Sequence, residues 1–221
     1  QAGAEGLAEA LGYLPLALEH AAVYVDRTGA SFTAYQEYYE QQRKALWADI
    51  EPPDASHATV STTWELSLEQ LHGQEAAIQL LELCSFLAPD DIPLTLLQQA
   101  AGDEVALPEA LQQALGNPLA LDRTIAALQR FSLLAREKDS LEMHRRVQAV
   151  IRDRMGEERA AEWAIPAVNL LLEAFPEDSA VWHTWQEGPR YLAHAAAVAW
   201  HADRHGADHE QVASLYNQTG Y

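Results

Sequence analysis

The stretch Ser132-Leu133-Leu134-Ala135-Arg136-Glu137-Lys138-Asp139-Ser140-Leu141-Glu142-Met143-His144-Arg145-Arg146-Val147 decides the fold. Two short runs, 132–136 and 140–144, flank the polar turn Glu137-Lys138-Asp139, a pattern that predicts a β-hairpin. No other part of the chain reads as β. From Arg145 the rhythm turns helical, through Val147, Val150 and Ile151 to Met155. Just upstream, Ile125, Leu128 and Phe131 share one side of a helix expected over 122–131. Several short helices followed by a two-stranded hairpin is the outline of a winged helix.

Further toward the N-terminus, helices are expected over 60–70 and 74–87, the second with Ile78, Leu81, Leu83 and Leu87 among its apolar positions. Pro89-Asp90-Asp91-Ile92-Pro93 forces a turn, and a short helix follows over 94–101. Trp64 stands at the entry to this region, which the tandem prolines of Glu51-Pro52-Pro53-Asp54 set off as a linker. Before the linker, Leu7, Leu11 and Leu14 fall at i, i+4 and i+7, and Leu18, Ala21, Ala22 and Val25 continue the rhythm. Gly12 and Pro15 interrupt it. The reading is a helix over 4–10, a break at Gly12-Tyr13-Leu14, and a proline-initiated helix over 15–27. Thr28-Gly29-Ala30 closes that helix, and Ser31 caps the next, which runs through Tyr35, Tyr38, Tyr39 and Arg43 to about Trp47. Beyond Glu157 the chain is helical again, with breaks at Phe175-Pro176-Glu177-Asp178 and His205-Gly206-Ala207-Asp208. The last helix has no stop signal, so a longer protein is expected. The expected fold is all-α with one small β-hairpin: a helical subdomain over 1–50, a winged-helix domain over 55–155 and a helical linker over 156–221.

Of the 221 residues, 14 are Lys or Arg and 33 are Asp or Glu, a formal charge of −19. Hydrophobic residues at 48% and charged residues at 21% describe a globular chain rather than a disordered one. The single cysteine, Cys84, excludes an intrachain disulfide framework. Apolar runs fall far short of the ~18–20 residues of a membrane span, and no basic-then-apolar leader opens the chain. A cytoplasmic protein without a membrane partner is expected. Nine of the basic residues lie between Arg123 and Arg159 with six acids, so that window carries +3 and the remainder −22. Solvated helix faces and internal ion pairs account for such a window; an anion or an acidic neighbouring surface is the alternative. The acidic remainder opposes a specific nucleic-acid partner.

Catalytic motifs are missing. The sequence has no G-x-x-x-x-G-K-[ST] loop, no H-E-x-x-H and no G-x-S-x-G. Ala22-Val23-Tyr24-Val25-Asp26 and Leu119-Ala120-Leu121-Asp122 end in an acid like a Mg²⁺-binding strand, but without a phosphate loop they read as helix and turn. His201, His205 and His209 at i, i+4 and i+8 have a spacing that suits a metal, yet Gly206 falls inside the run and ends the helix. His205 is then a residue at a helix C-terminus, where partial positive charge is favourable. No catalytic residue and no metal ligand is assigned.

Two stretches are informative together. Gly12-Tyr13-Leu14-Pro15-Leu16-Ala17 resembles the G-x-P-x-A motif of the NB-ARC class of STAND signalling ATPases. Met143-His144 is similar to the M-H-D motif at the end of that family's winged helix, with Arg145 where the motif has Asp. Leu215-Tyr216-Asn217-Gln218-Thr219-Gly220-Tyr221 is similar to the opening of the tetratricopeptide (TPR) repeats into which bacterial members commonly run. The resemblance implies a signal-transduction switch driven by ADP and ATP. In it, Pro15, within the motif residues Gly12, Leu14 and Leu16, touches the adenine, and His144 touches the β-phosphate of ADP. ADP holds the winged helix closed, and exchange for ATP releases the protein to self-associate. The implied partners are a nucleotide-binding subdomain before residue 1, whose full-length parent is a slow ATPase, and TPR repeats after residue 221. Without the phosphate loop, this chain alone is expected neither to hydrolyse ATP nor to hold ADP tightly. Two other readings stay open: a winged-helix DNA-binding regulator, and a TPR-type adaptor that binds protein.

Overall fold

The computed structural model describes residues 2–48, 54–102, 104–176, 188–206 and 209–219. Over the described residues the protein is mostly helical with one small antiparallel sheet, and the chain divides into two compact units.

The first unit comprises Gln1–Gln74 with Ala126–Leu133. It holds α1 (Ala2–Ala10), α2 (Pro15–Thr28), α3 (Phe32–Leu46) and α4 (Ala55–Glu69). Pro15 starts α2 because its missing N–H is one that a first helical turn leaves unbonded anyway. Gly29, at φ 71°, ends the helix in a left-handed cap whose N–H bonds Val25 O. The Ser31 hydroxyl accepts the Ala34 N–H at 3.1 Å and opens α3, as the sequence predicts. Leu7, Leu11, Ala17, Ala21, Tyr24, Tyr35, Tyr39 and Leu66 form the core. The helix expected over 60–70 begins earlier, and α4 packs on α2 and α3. It is buried on nearly every side from Ala58 to Leu68 despite five Ser and Thr hydroxyls that would be costly to bury free. Four of them bond their own helix: Thr59 to Ala55 O, Thr62 to Ala58 O, Thr63 to Val60 O and Ser67 to Thr63 O. The prolines of the expected linker, 52 and 53, lie outside the described residues.

The second unit comprises Glu75–Ile125 and Leu134–Tyr221. In order it contains α5 (Glu75–Cys84), β1 (Ile92–Pro93), α6 (Leu94–Gln99), α7 (Glu109–Leu115), the start of α8 (Pro118–Gln129), β2 (Ala135–Glu137), β3 (Ser140–Glu142), α9 (Arg145–Ala174), α10 (Gly188–Arg204) and α11 (His209–Thr219). The expected lone hairpin is corrected. It is part of a three-stranded sheet of order β1-β3-β2, in which Ile92 pairs with Leu141 and Pro93 with Ser140. The two-residue β1 reads as a turn because Asp90, Asp91 and Pro93 surround a single strand-forming residue. Strand β2 starts at Ala135 rather than Ser132, since Ser132 (φ 53°) turns the chain and Leu133 N–H returns to Leu128 O. Helix α7 has no counterpart in the sequence reading, and α8 begins four residues early. Asn117 explains the latter: its side-chain oxygen accepts the N–H groups of Leu119 and Ala120 at 3.0 and 3.2 Å, directly before Pro118 at N1.

Helix α9 runs past a break at Gly156 (φ 69°, ψ 173°), the position where the sequence separates two helices. Both halves grip α5. Gln148 donates to Cys84 O and Leu87 O at 3.0 Å each, carbonyls at and just beyond the end of α5. Arg152 donates to Ser85 O. Beyond the break, Arg159 makes a bidentate pair with the buried Glu82 at 2.8 Å, and Trp163 Nε1 adds a third bond to the same carboxylate at 3.1 Å. Among the described residues no helix is long and apolar enough to cross a membrane.

Candidate functional site

Gly12, Leu14, Pro15 and Leu16 form the joint between α1 and α2 in the first unit. Gly12 (φ 62°) and Tyr13 (φ 54°) are consecutive left-handed residues, and Tyr13 N–H returns to Ala8 O at 3.0 Å. A side chain at Gly12 would meet no atom, so the constraint there is conformational. Gly12 and Pro15 are exposed; Leu14 and Leu16 are half-buried, and Leu14 packs on the core. The joint therefore presents a rigid edge, Gly12-Tyr13 and Pro15, with Leu14 as its anchor. His20, one turn further along α2, is fully buried, and its Nδ1 donates to Phe131 O at 3.1 Å. That residue fixes the helix carrying the motif to the segment 126–133, and its partner 111 residues away leaves no trace in the local sequence.

His144 lies in the second unit, directly after β3. It is exposed and serves as N-cap of α9, with φ −53° and ψ 132° and Nδ1 accepting the Arg146 N–H at 3.2 Å. A ring that accepts at Nδ1 carries its proton on Nε2 when neutral, so the second ring nitrogen is a donor. Arg145, at the position of the motif Asp, and Arg146 are both exposed. A helix N-terminus with an N–H donor and two guanidinium groups suits an oxyanion. The motif residues Gly12–Pro15 and His144 belong to different units.

A second constellation escaped the sequence reading. Arg190, early in α10, holds Asp91 bidentately at 2.9 and 2.7 Å and reaches Asp139 in the β2–β3 turn at 3.1 Å. One turn later, His194 Nε2 donates to Asp91 O at 2.9 Å while Nδ1 accepts the Ala88 N–H at 3.2 Å. Tyr191 and Thr95 join hydroxyls at 3.3 Å. The Arg190 bond holds the Asp91 carboxyl below the usual carboxylate range, and burial pushes the His194 imidazole down. Both nitrogens of His194 are used by the neutral ring, so its protonation is opposed by geometry as well as burial. The spacing Arg190-x-x-x-His194 on one helix face was the available signal; partners about 100 residues away were not readable.

His201 and His205 lie edge-on to Phe86, at ring-centroid distances of 5.6 and 6.2 Å. His205 follows α10 and pairs with Glu157 at 3.1 Å. Among the described residues no three His, Cys, Asp or Glu side chains converge as metal ligands.

Residues 66–160 are similar to a protein family described as a domain of unknown function (DUF7779). The match runs from α4 into α9 and takes in the whole sheet. No curated protein and no solved structure matches the chain.

Proposed function

We propose that this chain is the regulatory part of a nucleotide-dependent signalling switch of the NB-ARC type. In this reading Pro15, with Gly12, Leu14 and Leu16, contacts the adenine of an ADP held by a preceding phosphate-loop subdomain. His144 contacts the β-phosphate. The observation that carries the reading is the exposed His144 ring, its Nδ1 engaged by the Arg146 N–H, at the point where β3 passes into α9. A winged helix is supported by the element order α5-β1-α6-α7-α8-β2-β3 and the sheet order β1-β3-β2. Helices α7 and α8, joined through Gly116-Asn117, are its helix-turn-helix pair. Helices α10 and α11 pack on each other and on α9, in keeping with entry into a TPR array. ADP keeps the cytoplasmic protein inactive, and exchange for ATP frees it to self-associate. The chain itself is not an enzyme. A DNA-binding role is weaker. Arg123 is the one basic residue of α8 and follows Asp122, while Lys138 in the β2–β3 turn is flanked by Glu137 and Asp139.

The test uses the full-length parent and measures ADP retained after purification, beside its melting temperature. His144→Ala is expected to lower ADP affinity roughly ten- to hundredfold, the effect of one charge-assisted hydrogen bond. His144→Asn preserves the α9 cap and therefore the melting temperature, yet it loses ADP as well. Unchanged ADP affinity in both variants removes His144 from the site.

A further inference from the structure

The second unit contains a cavity of about 370 Å³ at the Gly156 break, between α9 and the end of α10. Its lining is unusual in charge. Arg136, Arg159 and Arg190 of this unit are all matched to carboxylates. Arg152 and Arg204 share the cavity; Asp153 lies near enough to Arg152 to act on its charge, and neither guanidinium makes a bidentate carboxylate pair of the kind Arg159 and Arg190 make. Arg152 bonds only Ser85 O, and Arg204 lies over the Trp200 ring with Cζ 5.7 Å from its centroid. Burial pushes the Arg152 guanidinium down to about 10; the neighbouring Asp153 opposes the shift and Arg204 adds to it. Asp153 and Glu157 are also in the lining. Glu157 is engaged by His205, with its side chain 87% exposed and turned to solvent.

Two further features point to a ligand. His201 is only 8% exposed and lines the cavity, yet its ring makes no hydrogen bond to a described residue. A neutral buried imidazole normally finds a partner, so one of its nitrogens is available to a group in the cavity. Trp200 is 56% exposed beside it and offers a flat apolar surface already stacked by Arg204.

We propose that this cavity binds a small phosphorylated ligand bearing a planar ring. Arg152 and Arg204 hold the phosphoryl oxygens, His201 adds a neutral hydrogen bond, and the ring lies on Trp200. The volume suits a ligand of that size. Two guanidinium forks match a phosphoryl group, which offers three oxygens, better than a lone carboxylate. This site is independent of the proposed contacts of Pro15 and His144.

The experiment titrates the chain with phenyl phosphate, inorganic phosphate and benzoate, followed by calorimetry and by the Trp200 indole N–H resonance. Phenyl phosphate is expected to bind saturably, with inorganic phosphate and benzoate each about tenfold weaker. Arg204→Gln, a surface change, should weaken both phosphates about tenfold. Trp200→Leu should abolish the advantage of the phenyl ring, and His144→Ala should leave binding unchanged. The proposal is overturned if neither phosphate binds saturably, if benzoate binds as tightly as phenyl phosphate, or if Arg204→Gln binds phenyl phosphate as the wild type does.

Discussion

Protonation of His201 should govern how the second unit responds to mild acid. Burial pushes its imidazole down to about 3, with Arg152, His205 and Arg204 adding repulsion; the acids of the same cavity, Asp153 and Glu157, do not reverse the shift. An unfolded histidine titrates near 6.5. The unfolded state therefore binds more protons than the folded one between 6.5 and 3, and stability falls as pH is lowered through that window. From pH 7.5 to pH 5 the unfolded imidazole takes up its proton while the folded one does not. At about 1.36 kcal/mol per pKa unit, this lowers stability by about 2 kcal/mol. The assay is urea unfolding of the wild type and His201→Gln at both pH values. The variant loses ring packing against Phe86, so it should be weaker at pH 7.5. Its deficit should then shrink, or reverse, by about 2 kcal/mol at pH 5, because it has no proton to gain. His194 acts in the same direction and is present in both proteins, so it cancels in the comparison. An equal deficit at both pH values refutes the reasoning.

Three other outcomes are expected. Glu82→Gln should cost about 2–3 kcal/mol, because it weakens three hydrogen bonds and leaves Arg159 and the buried Trp163 indole poorly matched; a double-mutant cycle with Arg159→Gln should give a coupling above about 1 kcal/mol. Tyr35→Phe should be neutral or stabilising by up to about 1 kcal/mol in thermal unfolding, since the Tyr35 hydroxyl is buried with no hydrogen-bond partner among the described residues, and a clear loss would reveal one. Gly156→Ala should destabilise by about 1–3 kcal/mol in the same measurement, although its methyl group would meet no atom, because φ 69° with ψ 173° is a region essentially reserved for glycine.

What could be read from the sequence depended on how locally each feature is encoded. The α1–α2 joint was legible because Gly12, Pro15 and the leucine rhythm act within a few residues. The break at Gly156 and the cap at Ser31 were legible for the same reason. Strand β1 was not, since two residues cannot establish an alternation and one of them is a proline. Helix α7 was missed because Glu109–Leu115 spans barely two turns, too few to establish a periodicity. Within the candidate site, His144 could be placed at a hairpin end and directly before a helix, but its capping bond with the Arg146 N–H could not be read. Glu82 stands in the apolar run Leu80-Leu81-Glu82-Leu83, and its partners Arg159 and Trp163 lie 77 and 81 residues away. The same distance hid Arg190, His194 and the cavity at Gly156. Buried polar chemistry in this chain is built from long-range pairs, which periodicity does not report.

The bend in α9 has a mechanical consequence. A lone glycine between two helices ordinarily acts as a swivel, free to redirect the downstream segment. Here α5 works as a splint across the joint, fastened upstream by Gln148 and Arg152 and downstream by Arg159 and Trp163. A force applied at the downstream end of α9 is delivered to α5 and to the sheet-proximal turn of α9 as one stiff elbow. Motion within this unit must then come from releasing a fastening, rather than from rotation about Gly156.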